Sequence, residues 1–237
     1  MPAAPAPAEA GARPLLSIVI PALNAQAFLP GTFDSLAGGG LDVEVIVADG
    51  GSADGTRRIA EALGARVIEA PRGRGPQLAV GARAATGGWF LFLHADSRLQ
   101  RGWQAIVRAF IADPANRFRA GYFQLILDDA APAARRVENL ANWRARNLGL
   151  PYGDQGLLIS RAFYDHLGGF APLPLMEDVD LVRRIGGKRL VALASAVITA
   201  ADRYRRDGWL WRPAKNLLCL TLYFAGLPPR LIGRIYR

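Results

Sequence analysis

The sequence predicts an α/β fold: a mostly parallel sheet flanked by helices, followed by a C-terminal amphipathic helical segment. Three observations carry this. Short apolar, β-branched runs alternate with helical patterns at βαβ spacing. Each of the early runs stops at a proline, a glycine pair or a carboxylate, as strand ends do. The 237 residues are 51% hydrophobic and 21% charged, which suits one domain with an appendage and excludes a disordered chain.

The elements follow in order. Leu16 to Ile20 is a short apolar strand closed by Pro21, and Phe28, Phe33 and Leu36 fit a helix behind it. Val43 to Ala48 is a second strand, closed by Asp49-Gly50-Gly51. Ser52 and Asp54 can cap the helix that runs to about Leu63. Arg66 to Glu69 is a third strand. Pro76 opens the next helix in its first turn. Trp89 to Leu93 is a fourth strand and ends at His94-Ala95-Asp96.

The second half is less regular. Arg119 to Leu127 reads as a strand, and Ala131 to Leu148 as a helix. Tyr152 to Gly156 reads as a loop. Met176 to Asp180 leads into a helix ending near Gly186, and Ala194 to Ala200 fits a late strand. Beyond Gly208, two amphipathic helices are separated by Gly226-Leu227-Pro228-Pro229. The domain plan is therefore a disordered leader over residues 1–14, a body over 15–205 and a helical tail over 206–237.

The net charge is +9, and only Lys188 and Lys215 among the 29 basic residues are lysine. Such a balance points to an anionic partner: nucleic acid, an anionic membrane surface or a phosphorylated small molecule. Residues 203–237 alone hold eight basic side chains against one acid, a net +7. This segment also carries Trp209, Trp211, Leu217, Leu218, Leu220, Leu222, Tyr223 and Phe224. It fits a peripheral membrane anchor or an oligomer contact such as a homodimer. The single Cys219 excludes a disulfide framework and a cysteine-built zinc site. The Ala- and Pro-rich leader has no apolar run of a secretory signal, and no stretch reaches the roughly 20 apolar residues of a spanning helix. The expected location is cytoplasmic, with peripheral attachment to the inner face of the membrane through the tail.

Open α/β sheets bind ligands outside the carboxyl ends of their strands. Pro21 and Asn24, Asp49 with Gly50 and Ser52, Arg74, and His94-Ala95-Asp96 all fall there. A strand-end carboxylate such as Asp49 suits a ribose hydroxyl or a base edge; alternatively it organises a tight turn. Arg72-Gly73-Arg74-Gly75 at a helix start can face a phosphate, or form a solvated basic loop. Asp96 can hold a divalent metal that also binds a diphosphate, or cap a turn. Glu177, Asp178 and Asp180 are ordinary residues for a first helical turn, yet an adjacent carboxylate pair also suits a general base. Arg203 to Trp209, including Arg206, can clamp a diphosphate, meet a membrane or bind nucleic acid.

Together these residues resemble glycosyltransferase family 2, the inverting GT-A enzymes that use nucleotide-diphospho-sugars. The resemblance runs from about Leu16 to the C-terminus. Ser17 to Pro21 with Asn24 resembles the family's first strand and loop, and Asp49-Gly50-Gly51-Ser52 with Asp54-Gly55-Thr56 its D-G-S-x-D-x-T segment. Arg74-Gly75 resembles the stretch that closes over the donor. His94-Ala95-Asp96 stands where the family has D-x-D, and Glu177-Asp178 where it has its E-D pair. Arg203 to Trp209 stands where the family has its late Q/R-x-x-R-W motif. The chain also resembles a subgroup labelled arsenosugar-biosynthesis glycosyltransferases, through H-A-D, Gly153-Asp154-Gln155-Gly156, Pro174 to Asp180 and Arg206 to Trp209.

The resemblance implies a GT-A (Rossmann-like) fold and a hexosyltransferase-type enzyme. It implies donor contacts from Pro21, Asn24, Asp49, Gly50, Ser52, Arg74, His94, Ala95, Asp96, Arg203 and Arg206. A Mg²⁺ or Mn²⁺ ion is implied on Asp96, with Asp178 as the base beside Glu177. Asp154, Gln155 and Trp209 are the candidates for binding a hydroxyl-bearing acceptor. Two departures stand out: His94 replaces the first acid of D-x-D, and no long membrane-spanning tail follows, which argues against a polymer-extruding synthase. Three rivals remain. A nucleotidyltransferase would carry a Lys in a glycine-rich loop after the first strand, and none is present. A nucleic-acid binder would carry a reading motif, and none is found. The third is a degenerate transferase that binds donor without turnover, which the His94 substitution keeps open.

Overall fold

A computed structural model describes residues 15–236. The leader expected over residues 1–14 lies outside the described residues. Eight strands form one sheet in the order β3-β2-β1-β4-β7-β6-β8-β5. The first half matches the βαβ expectation. β1 (Leu16–Ala22), β2 (Val43–Asp49), β3 (Arg66–Glu69) and β4 (Trp89–Phe92) are all parallel. The second half is mixed. β7 (Leu157–Ser160) is antiparallel to both β4 and β6 (Ala120–Leu127), β6 is parallel to β8 (Leu190–Thr199), and β5 (Ser97–Leu99) is antiparallel to β8. The sheet is therefore less parallel than the sequence suggests.

The pleat of β1 sets the two layers. Leu16, Ile18 and Ile20 face one side, against Leu29 and Phe33 of α1 (Leu29–Leu36) and Ala60 of α2 (Thr56–Ala62). Val107 and Phe110 of α4 (Trp103–Ala112) complete that layer, and Trp103 Nε1 donates to the Ser35 carbonyl at 2.9 Å. Val19 faces the opposite side, against Leu78 and Ala82 of α3 (Arg74–Ala84). Phe163 of α6 (Arg161–His166) and Leu181 of α7 (Glu177–Ile185) join this second layer. The helix expected over Ala131 to Leu148 is α5 (Pro132–Leu148), whose Ala134, Val137 and Ala141 pack against Leu125 and Leu127 of β6.

The tail is built into the body. α8 (Asp202–Asp207) is tied to the sheet edge by Arg205, whose Nε pairs with Asp129 Oδ2 at 2.6 Å. α9 (Trp211–Phe224) and α10 (Pro229–Tyr236) follow, as the two expected helices. Cys219, Leu220 and Ile232 form an apolar cluster with Leu175, Met176 and Val179. The expected boundary at residue 205 therefore falls inside a packed unit, because α9 closes over the start of α7. Among the described residues, no helix is long and apolar enough to cross a membrane.

Candidate active site

The carboxyl ends of β1, β2 and β4 converge as expected. The loops after β1 and β2 clasp each other. The Asn24 amide donates to Ser52 Oγ at 2.9 Å, and Asn24 Oδ1 accepts from the Ala53 amide at 2.9 Å. Asn24 adopts a left-handed backbone (φ 51°), a conformation that Asn tolerates better than most residues. The Ala25 amide donates to Thr56 Oγ1 at 2.7 Å, and Gln26 Oε1 accepts from the Gly55 amide at 2.8 Å. The N-cap of α2 is Gly55, not Asp54 or Ser52; Asp54, one residue earlier, accepts from the Thr56 amide at 3.0 Å. The Ser52 hydroxyl turns back onto Asp49. Asp49 is 1% exposed, and its carboxylate also accepts the Gly51 and Ser52 amides. The aspartate thus shapes the turn between β2 and α2. Gln77 was not legible as a site residue. Its buried amide donates to the Ala22 and Ala48 carbonyls at 2.7 and 2.8 Å and ties the ends of β1 and β2 to α3.

An open cleft lies above these strand ends. Pro21, Asn24, Arg74, His94, Ala95, Asp96 and Arg203 line it. The His94-Ala95-Asp96 turn is fixed by its backbone: Thr32 Oγ1 donates to the Ala95 carbonyl at 2.7 Å, and the Ala200 amide to the Asp96 carbonyl at 3.2 Å. A second cleft adjoins the first. Arg74, His94, Asp96 and Arg203 line both clefts. Glu177, Asp178, Asp154, Tyr204, Arg212 and Asn216 are found only on the second side.

The second cleft holds the carboxylate pair. Met176 precedes α7 with a left-handed backbone (φ 66°), so Glu177 and Asp178 begin the helix abruptly. Asp178 Oδ2 accepts the Gly153 amide at 2.7 Å, and its Oδ1 accepts the Val179 amide at 2.8 Å. Each oxygen keeps a second lone pair, so the carboxylate is oriented and still able to accept a proton. A Cβ on Gly153 would stand 2.7 Å from His94 Nε2 and 3.4 Å from Asp178 Oδ2. Only a glycine lets this loop, His94 and Asp178 meet. Arg144 holds the loop from outside, with its guanidinium 3.3 Å over the Tyr152 ring and its Nε on the Leu150 carbonyl.

Charge and burial tune the groups. Glu177 is 1% exposed. Burial and the neighbouring Asp178 charge push its pKa up to about 7, while Arg74, 3.7 Å away, pulls against them. Burial raises the Asp154 pKa, partly offset by Arg144. Burial, followed by the charges of Arg74 and Arg203, holds His94 well below its ordinary value. His94 is thus a neutral imidazole at neutral pH and does not restore the charge of the acid it replaces. Among the described residues, no group of three or more His, Cys, Asp or Glu could hold a metal ion. Asp96 with neutral His94 nonetheless suits a hard cation that takes its other ligands from a diphosphate and water.

Six expected ligands lie outside the lining of both clefts: Asp49, Gly50 and Ser52 belong to the end of β2 and the turn after it, and three more lie elsewhere. Gln155 is fully buried, with its amide donating to the Phe123 carbonyl at 3.2 Å; it supports the loop instead of facing an acceptor. Trp209 stacks on Tyr204 (5.6 Å between centroids, 12° between planes) and packs toward α5, so Tyr204 lines the cleft in its place. Arg206 is 73% exposed and pairs with Asp207 at 2.8 Å, so of the arginines at 203, 205 and 206 Arg203 is the one that lines the clefts. Conversely, Arg212 and Asn216 line the second cleft from α9, a placement no local pattern announces.

This is an α/β sheet with a ligand cleft across its parallel strand ends and a carboxylate pair in the cleft beside it. Comparison with known proteins places it. Residues 17–152, more than half of the chain, match the model of the family "Glycosyl transferase family 2", and the chain belongs to that family. It is 40% identical over 111 residues to the PGL/p-HBAD biosynthesis glycosyltransferase of Mycobacterium tuberculosis; the match spans 43% of each chain, so less than half of the relative is represented. The fold resembles that of a mannosyltransferase from Pyrobaculum calidifontis solved with GDP-Man and Mn²⁺ (TM-score 0.64, 21% identity, 91% of this chain and 64% of that one). It also resembles glucosyl-3-phosphoglycerate synthase from Mycobacterium tuberculosis (TM-score 0.57, 20% identity, 91% and 81%). The arsenosugar subgroup receives no specific support from these relatives.

Proposed function

We propose that the protein is an inverting glycosyltransferase that moves a sugar from a nucleotide-diphospho-sugar to a hydroxyl acceptor. The observation that carries this reading is the shared wall. Arg74, His94, Asp96 and Arg203 separate a cleft over the nucleotide-binding strand ends from a cleft holding Glu177 and Asp178. A donor lying across the first cleft would present its diphosphate to that wall. Its anomeric carbon would then face the carboxylate pair.

Asp96 and His94 would hold the metal, and Arg74 and Arg203 add fixed positive charge. A divalent ion, Mg²⁺ or Mn²⁺, supplies charge that neutralises the departing diphosphate when bound; the Mn²⁺ in the Pyrobaculum calidifontis complex supports this. Asp178 takes the proton of the acceptor hydroxyl. The acceptor oxygen bonds to the anomeric carbon as the bond from that carbon to the phosphate oxygen breaks. The nucleoside diphosphate leaves from the opposite face, so one displacement inverts the centre. A transition state with oxocarbenium character is expected, as in glycoside hydrolysis. Glu177, close to its own neutral point, shares the negative charge of the site with Asp178.

A thermal-shift and donor-hydrolysis screen across nucleotide sugars, with and without Mn²⁺, tests the reading. One donor should stabilise the protein in the presence of metal, and Asp96→Asn should remove the metal-dependent part. Stabilisation by none of them would refute it.

The tail supports peripheral attachment to an anionic membrane. Leu210, Trp211, Leu217, Leu218, Phe224, Leu231 and Ile235 are exposed there beside Arg206, Arg230 and Arg234. Apolar side chains among cations suit a headgroup interface.

A further inference from the structure

Buried polar side-chain atoms in folded proteins nearly always have hydrogen-bond partners, and exceptions call for a reason. Among the described residues, four such atoms have none: Asp154 Oδ1, Glu177 Oε2, Ser195 Oγ and Asn216 Oδ1. Three of the four belong to residues lining the cleft that holds Asp178. They arrive on separate elements: the turn Gly153–Gln155, the start of α7, and the middle of α9. Unrelated segments leave side-chain oxygens unpaired around one space.

We infer that Asp154, Glu177 and Asn216 form an acceptor subsite that reads several hydroxyl groups of a polyhydroxylated acceptor, such as a sugar or cyclitol. The inference rests on the transferase reading above and names its acceptor class. The chemistry of the three oxygens selects the ligand. Asn216 Oδ1 can only accept a hydrogen bond, so it requires a donor. Glu177, pushed up to about 7, can accept or donate, and burial shifts Asp154 in the same direction. A hydroxyl does both, whereas an ammonium group only donates. A monohydric alcohol has one hydroxyl for three positions. Arg203 and Arg212 on the same wall would meet ring or hydroxyl oxygens of the ligand. Asn216 gives α9 a role in specificity, separate from any membrane contact of its exposed face.

The test uses the full chain with Mn²⁺ and the stabilising nucleotide sugar. Probes are methyl hexopyranosides and myo-inositol, with 1-butanol and butylamine as single-hydroxyl and amine counterparts. Octyl hexopyranosides below their micellar concentration represent the same group carried on a lipid. A hydroxyl-rich probe should raise the melting temperature and accelerate release of nucleoside diphosphate. An effect seen with free sugars places the acceptor in solution; an effect confined to octyl sugars places it on a lipid headgroup. Asn216→Leu should abolish the melting shift and raise the acceptor KM by about tenfold or more, with the donor KM moving little. If that variant does not fold, Asn216→Ala carries the same comparison. The inference is overturned if no hydroxyl-rich probe exceeds butanol and butylamine in either readout, or if the folded Asn216 variant binds it like wild type. The donor-induced melting shift is read separately. Its absence with polyol binding intact contradicts the transferase reading and leaves the subsite standing.

Discussion

Glu177 and Asp178 are neighbours in one helical turn, yet their surroundings separate their work. Asp178 is oriented by two amides and faces the cleft, whereas Glu177 is sealed beneath Arg74 with one oxygen unpaired. Its titration has a consequence for stability. The unfolded chain releases this proton near the ordinary value of 4.5, and the folded chain near 7. The folded state therefore binds more protons between those values. The contribution of this group to stability is fully present below pH 4.5 and is lost as pH rises through 7, roughly 3 kcal/mol in all. Glu177→Gln should flatten that slope in urea unfolding measured across the interval; an unchanged slope would remove Glu177 as its source. At this scale the sequence shows what lies next to a strand end or in a first helical turn: Asp96, Arg74 and the Glu177-Asp178 pair. It does not show Gln77, Arg212 or Asn216. Their roles depend on how whole helices dock, and no spacing within α3 or α9 encodes that.

Element packing explains how α3 brings Arg74 to both clefts. A Cβ on Gly75 would stand 2.5 Å from the Leu173 carbonyl oxygen and 2.6 Å from that of Ala171. The first turn of α3 is pressed against the backbone that leads to Glu177. Backbone cannot swing aside as a flexible side chain can. Gly75→Ala should therefore cost on the order of 1–3 kcal/mol and weaken donor binding by displacing Arg74, read by melting temperature and donor titration. A fully stable variant with wild-type donor affinity would mean that this contact is not needed. β1 and β4 are legible as apolar runs buried on both faces and punctuated at their ends, and β2 and β3 as short runs of β-branched residues between turn signals. β7 is as short as β4 and nearly as apolar, but its antiparallel place between β4 and β6 rests on long-range pairing. β5 is three residues with a charge at its centre, too short for any periodicity to register. α4, with Trp103, Val107 and Phe110 buried on one face, carries an amphipathic pattern that attention to strand ends passes over.

At the scale of the whole molecule, the +7 of residues 203–237 is divided by the fold. Arg203 and Arg212 turn toward the clefts, Arg205 and Arg206 are paired with carboxylates, and Arg230 and Arg234 stay exposed beside apolar side chains. Cutting the chain after Leu210 would strip Arg212 and Asn216 from the cleft, so it cannot test membrane binding alone. Trp211→Glu with Leu217→Glu changes only exposed positions. That double variant should lose sedimentation with anionic vesicles and keep its melting temperature; undiminished sedimentation would exclude this face as the contact. The central claim is that Asp178 is the base of a transfer between the two clefts. Single-turnover transfer by Asp178→Asn, with donor affinity measured on the same sample, tests it most directly. The account predicts donor affinity within a few-fold of wild type and transfer slowed by about a thousandfold or more. Transfer at the wild-type rate would contradict it.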